Sequence, residues 1–144
     1  FSIKLFDQLR PRDINLNLAV SKNEGEIEMY FQKKLSQLST IKKEQIKKSF
    51  QGEVKIKKII SKTLTSILDE TKFANKKIDF LDIDVEGADM DVLESLDFEK
   101  YSPKLICIEV IKENNEDSDI FNFLRKKDYK RIWSGVFSHI FKKS

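Results

Sequence analysis

The stretch "IDFLDIDVEGADMDVLESL", residues 78–96, changes its apolar period midway. Up to Val85 the residues alternate, with Phe80, Asp82 and Asp84 on one side and Leu81, Ile83 and Val85 on the other. That is the two-residue period of a strand. Beyond the turn, Met90, Leu93 and Leu96 recur at the spacing of a helix. Gly87 stands at the junction, where a sharp turn or the close approach of a ligand to the backbone needs a residue without Cβ. A helix starting near Ala88 adds a positive end beside it. Strand, acidic turn and helix together predict one unit of a layered α/β sheet.

The acids at that junction have two readings. Asp84, Glu86 and Asp89 suit the start of a helix, where carboxylates cap free N–H groups and oppose the helix dipole. Asp82, within the strand body, instead needs a partner or an opening, and so points to a site. Both readings stay open on the residues alone.

Working outward, "PKLICIEVI" (103–111) is a continuous apolar strand, as expected at the centre of a parallel sheet. "SDIFNFLRKK" (118–127) is predicted to be a helix capped by Ser118 or Asp117. "YKRIWS" and "VFSHIFKK" are predicted to close the chain as an antiparallel hairpin around Gly135, with Trp133 and the neighbouring phenylalanines as its core. The order strand, helix, strand, helix, strand predicts helices on both faces of the sheet. Ligands then bind beyond the carboxyl ends of the strands, where "DIDVEG" falls.

Upstream, a helix over the first residues stops before Pro11. "INLNLAVS" (14–21) alternates as a strand, "EIEMYF" (26–31) and "EVKIKKII" (53–60) pair as two more, and "SKTLTSILDE" (61–70) is a short helix capped by Thr63 or Ser61. Residues 32–52 are lysine-rich and are read as an insertion, mobile or partly helical. The whole chain, 1–144, is expected to be a single domain. Lacking an initiator methionine and entering on a helical pattern, it is expected to be N-terminally truncated.

Composition bounds the function. The 144 residues are 40% hydrophobic and 35% charged, with 4 Gly and 2 Pro, which describes a folded globular chain. A net charge of +3, spread without an aromatic-flanked stripe, argues against nucleic acid as a partner. No apolar run is long enough for a membrane span and no signal peptide is visible, so a cytoplasmic location is expected. The single Cys107, inside an apolar run, is expected to be a buried thiol and excludes a disulfide framework. His139, the single histidine, is read as structural.

The run "IDFLDIDVEGADMDVLESL" followed by "YSPKLICIEV" resembles the C-terminal half of the FkbM family of S-adenosylmethionine-dependent methyltransferases, in which an aspartate-valine-glutamate-glycine turn follows a strand. "INLNLAVSKNEGEIEMYF" and "KTLTSIL" resemble the preceding segments in the same order. The resemblance implies a Rossmann-like, mostly parallel sheet in order 3-2-1-4-5-7-6 with a C-terminal antiparallel hairpin, and strands 1 and 2 absent from this chain. It implies methyl transfer from S-adenosylmethionine to a hydroxyl of a sugar or natural product, by a fragment that lacks activity of its own. Ala19, Val20 and Ser21 would contact the cofactor at the end of strand 3. Asp84 and Gly87 would contact it after strand 4, and Asp84 and Glu86 would be catalytic, orienting or deprotonating the hydroxyl. Asp82 stands where the family commonly has lysine, and Asp89 where it commonly has glutamate.

Two other functions fit the residues. Asp82 and Asp84 form a D-x-D that could hold magnesium or manganese in a nucleotide-sugar or phosphoryl transferase. The chain could also be a lysine-rich binding or assembly module that forms a homo-oligomer through exposed sheet edges.

Overall fold

In the computed structural model, residues 2–32, 39–110 and 119–144 are described. The order is α1 (Ser2–Leu9), β1 (Ala19–Val20), β2 (Gly25–Phe31), α2 (Lys43–Ser49), β3 (Lys55–Lys62), α3 (Leu64–Asp69), β4 (Phe80–Ile83), α4 (Asp89–Glu94), β5 (Leu105–Glu109), α5 (Asp119–Lys126), β6 (Tyr129–Ser134) and β7 (Ser138–Lys143). The strands form a three-stranded sheet, β1-β3-β2, and a four-stranded sheet, β4-β5-β7-β6. The second order is the one the resemblance implied for the last four strands. β1 with β3 and β4 with β5 run parallel, whereas β2 with β3, β5 with β7 and β6 with β7 run antiparallel. The described architecture is thus α/β with mixed sheets.

The core lies on one face of the four-stranded sheet. Ile83, Ile106, Ile108 and Phe141 point into it from the strands, and Val92, Leu93, Phe121 and Leu124 meet them from α4 and α5. Each such buried side chain stabilises the fold by roughly 1.5–3 kcal/mol relative to exposure. Phe98 sets its ring edgewise against Phe123 and Tyr129, closing the lower end of this layer.

Helices were expected on both faces, but α4 and α5 lie on the same one. Register explains what is left open. Asp82 pairs with Cys107, Cys107 with Ile140 and Ile140 with Trp133, so these four share the face opposite the core. No described helix covers that row, and Trp133 and Phe137 are exposed instead of forming a hairpin core. Cys107 is half-buried rather than buried. Burial first, then the Asp82 carboxylate that accepts its S–H, raises the thiol above its ordinary value, so it stays protonated.

The N-terminal strand is also shorter than its alternation suggested. Among the described residues only Ala19 and Val20 pair, opposite Ser61 and Lys62 of β3, while Ile14 and Leu16 stay exposed and pair with no described strand. The β2–β3 ladder follows the predicted pairing, with Ile27 opposite Ile59. Thr63 caps α3 by accepting the Ser66 N–H, as expected of a threonine at that position. Within the predicted 32–52 insertion, residues 43–49 form α2, while the lysine-rich start, 33–38, and the caps Ser118 and Asp117 lie outside the described residues.

The two sheets are joined through α4. The Ser95 carbonyl accepts the N–H and hydroxyl of Thr65, and the Ser95 hydroxyl accepts the Leu64 N–H. Lys42 Nζ lies 2.6 Å from Asp91 Oδ2, and Lys22 Nζ 3.4 Å from Glu94 Oε2. These contacts tie the end of β3, the start of α3 and the segment after β1 to α4.

His139 is a structural histidine whose burial has a consequence for pH. It is 5% exposed on β7, its Nδ1 lies 3.1 Å from Ser134 Oγ, its Nε2 has no hydrogen-bond partner among the described residues, and its ring meets Phe121 edgewise. Burial, then the nearby Arg131 charge, lowers its pKa from the ordinary 6.5. A lowered value means that the folded chain binds the proton less readily than the unfolded one. The associated stability is therefore full above pH 6.5 and is lost as pH falls below it. Urea denaturation of wild type and His139→Phe should show the wild-type midpoint falling further over the first unit or so below that pH. Equal slopes for the two proteins would show that the buried imidazole contributes nothing.

Candidate functional site

The turn after β4 is built from two successive left-handed residues, Glu86 at φ 52° and Gly87 at φ 88°. The Ala88 N–H donates to the Val85 carbonyl at 3.3 Å, closing a four-residue turn of the I′ type. Gly87 adopts this backbone freely, but Glu86 does so at a cost of about 1–2 kcal/mol. Asp89 holds the turn in place. Its Oδ1 accepts the Val85 N–H at 3.3 Å and its Oδ2 the Gly87 N–H at 3.2 Å. Of the three acids first considered as helix caps, Asp89 is the one that binds backbone donors there. Ala88, at the N-cap itself, makes no side-chain cap.

The turn is roofed from the N-terminal sheet. Thr40 exchanges both backbone hydrogen bonds with Tyr30 at the end of β2, and its hydroxyl donates to the Glu86 carbonyl at 3.0 Å. Beneath this roof is a cleft of about 610 Å³, lined by Leu18, Ala19, Val20, Met29, Ser39, Thr40, Ile41, Ile59, Asp84, Val85, Glu86 and Ala88. Ala19, Val20, Asp84 and Glu86 thus face one space. Ser21 instead lines an adjoining cleft of about 410 Å³ with Tyr30, Lys42 and Asp91. Gly87 shapes the turn without lining the larger cleft.

A further carboxylate, Glu109, belongs to this edge. Because β4 and β5 run parallel with Ile83 opposite Ile108, Asp84 and Glu109 stand one residue past that pair at the same carboxyl end. The Glu109 Oε2 is buried and has no hydrogen-bond partner among the described residues. Burial, then the charges of Asp84, Asp89 and Glu86, raises its pKa. Glu86 is raised by burial and then by Asp84 and Asp89, and Asp89 is raised by burial against the pull of its backbone donors. Crowding of like charges in a partly desolvated pocket is the common cause. Thr40 and Glu109 carried no motif of their own. Glu109 could have been found only as an acid closing an otherwise apolar strand.

Asp82 lies within β4, whereas Asp84 stands just past its end and lines the cleft, so the D-x-D is split between strand and turn. Among the described residues, no group of three or more His, Cys, Asp or Glu side chains is placed to hold a metal ion. Asp82 is engaged with the Cys107 thiol on the open face.

The methyltransferase FkbM domain model matches residues 6–131, which takes in the three-stranded sheet, β4 and β5, the cleft and the acidic turn, and stops within β6. The chain belongs to the FkbM methyltransferase family. No curated protein and no solved structure matches it. In this FkbM domain the aspartate-valine-glutamate-glycine turn is thus a folded feature with its own staple, Asp89, and its own roof, Thr40. Among the described residues, no helix is long and apolar enough to cross a membrane.

Proposed function

We propose that this FkbM domain transfers a methyl group from S-adenosylmethionine to a hydroxyl of a small-molecule or glycan acceptor. The observation that carries the reading is that Ala19 and Val20, far upstream in the sequence, line the same cleft as Asp84 and Glu86. The cleft suits the donor in size and chemistry. Its volume is within the range of ligand pockets, and Leu18, Val20, Met29, Ile41 and Ile59 offer an apolar wall for a nucleobase. The carboxylates of Asp84 and Glu86 complement a positive charge, and no Lys or Arg is among the lining residues.

When bound, the donor supplies an electrophilic methyl on a sulfonium centre. The protein's own task is then to orient the acceptor hydroxyl and receive its proton. Glu86 is suited to that role because burial and its neighbours make its carboxylate a stronger base than an ordinary glutamate. Asp84 contributes negative charge beside it, and Glu109 extends the polar wall toward β5. The turn is fixed through Asp89 and Thr40, so the carboxylates are held in place before the acceptor arrives.

The test is incubation with methyl-labelled S-adenosylmethionine and a panel of methyl glycosides, followed by mass analysis. Methyl ether formation that depends on Glu86 supports the reading. With amino sugars and uronic acids included in the panel, label transferred only to amine or carboxylate groups would overturn the hydroxyl assignment.

A further inference from the structure

We infer that residues 39–42 form a lid that lifts to let the methyl donor enter and leave the larger cleft, and that Lys42 and Asp91 are its latch. The inference rests on the reading of that cleft as the donor site.

The segment Ser39-Thr40-Ile41-Lys42 leads into α2 with space on both of its sides. Ser39, Thr40 and Ile41 line the donor cleft of about 610 Å³, whereas Ile41 and Lys42 line the adjoining cleft of about 410 Å³. Ile41 is thus the partition between them. A segment packed into the core could not move without opening a cavity, because interiors are close-packed. This one is free of that constraint, since none of its side chains belongs to the hydrophobic core of the described residues or packs against it.

Polar contacts tie it across the cleft. Thr40 and Tyr30 exchange backbone hydrogen bonds of 2.8 and 3.1 Å as an isolated bridge, not as part of a longer ladder. The Thr40 hydroxyl reaches the Glu86 carbonyl, and Lys42 Nζ lies 2.6 Å from Asp91 Oδ2. Contacts of this kind open locally while the rest of a domain stays folded. Nothing larger gives way when they do. The Ser95 bonds to Leu64 and Thr65 and the Lys22–Glu94 pair still join the two sheets, and Asp89 still holds the acidic turn.

Closure also completes the site. The hydroxyl that meets the Glu86 carbonyl belongs to the lid, so shutting the cleft and bracing the turn are one event. Lys42 and Asp91 stand outside the donor cleft. Their pairing therefore acts on the passage of the donor and not on its contacts.

The test has two parts, both on the full chain. Without ligand, hydrogen exchange at the Tyr30 and Thr40 amides should be faster than at the β2–β3 ladder amides and nearly independent of low urea concentrations, the mark of a local opening. With S-adenosylmethionine, surface plasmon resonance gives the rates of binding and release. Lys42→Met and Asp91→Asn should each raise both rates by about fivefold, the weight of one partly exposed ion pair, and leave the dissociation constant unchanged. The double variant should rise no further. Exchange at Thr40 as slow as in the ladder, or wild-type rates in both variants, would overturn the lid and leave the donor reading standing. A change in the dissociation constant through the release rate alone would also overturn it, as the sign of a merely structural pair. No binding by the wild type would overturn the donor reading, and the lid with it.

Discussion

On the proposed function, replacing Glu86 with Gln should lower the rate of methyl transfer by about 10²–10⁴-fold, the usual contribution of a positioned general base. The loss should fall on kcat, with the affinity for S-adenosylmethionine nearly preserved. Gln keeps the shape of the side chain, and the hydrogen bond that ties Thr40 to this residue uses its backbone carbonyl, so the turn is undisturbed. What disappears is the basic oxygen. In the wild type, the raised Glu86 pKa places the acid limb of the rate profile above the ordinary value of 4.5, because the carboxylate must be ionised to accept a proton. The pH dependence of kcat/KM measures this. A variant with full activity, or an unchanged acid limb, would remove Glu86 from the chemistry.

The second large effect is on stability. Asp89→Ala should cost about 2–4 kcal/mol, because the Val85 and Gly87 N–H groups lose a common acceptor that is itself buried. Some of this is offset, since the buried carboxylate itself carries a desolvation penalty, visible in its raised pKa. The net cost stays large because Glu86 is held in a left-handed conformation that nothing else in its own backbone favours. Urea denaturation measures the change. A loss below about 0.5 kcal/mol, the level of an ordinary surface substitution, would show that the turn holds itself without Asp89.

Much of this fold could be read from periodicity. The change from alternation to helical spacing at Gly87 located β4, its turn and α4, and the apolar run through Cys107 located β5. Gly135 marked the hairpin because no other residue allows Trp133 to lie on the turn. The failures share a physical cause, in that alternation reports a preference for a strand but not the presence of a partner. Ile14 and Leu16 alternate as well as Leu81 and Ile83 do, yet among the described residues only the latter pair with a neighbouring strand. Trp133 reads as core until the register places it on the face that α4 and α5 leave open.

The site divides in the same way. Asp84, Glu86 and Gly87 are contiguous and carry a motif, so their sequence displays them. The meeting of Ala19 and Val20 with that turn depends on Thr40, Lys42 and Ser95, which join the two sheets through contacts that no local pattern encodes. Glu109 acquires its environment only when β5 aligns beside β4.

The central claim is that the β1 end and the acidic turn form one cofactor cleft. The most direct measurement is a titration of the isotopically labelled chain with S-adenosylmethionine, followed by the amide resonances of Ala19, Val20, Glu86 and Gly87. Saturable shifts of both segments with a single dissociation constant are the expected result. Shifts confined to one segment, or none at saturating ligand, would contradict it.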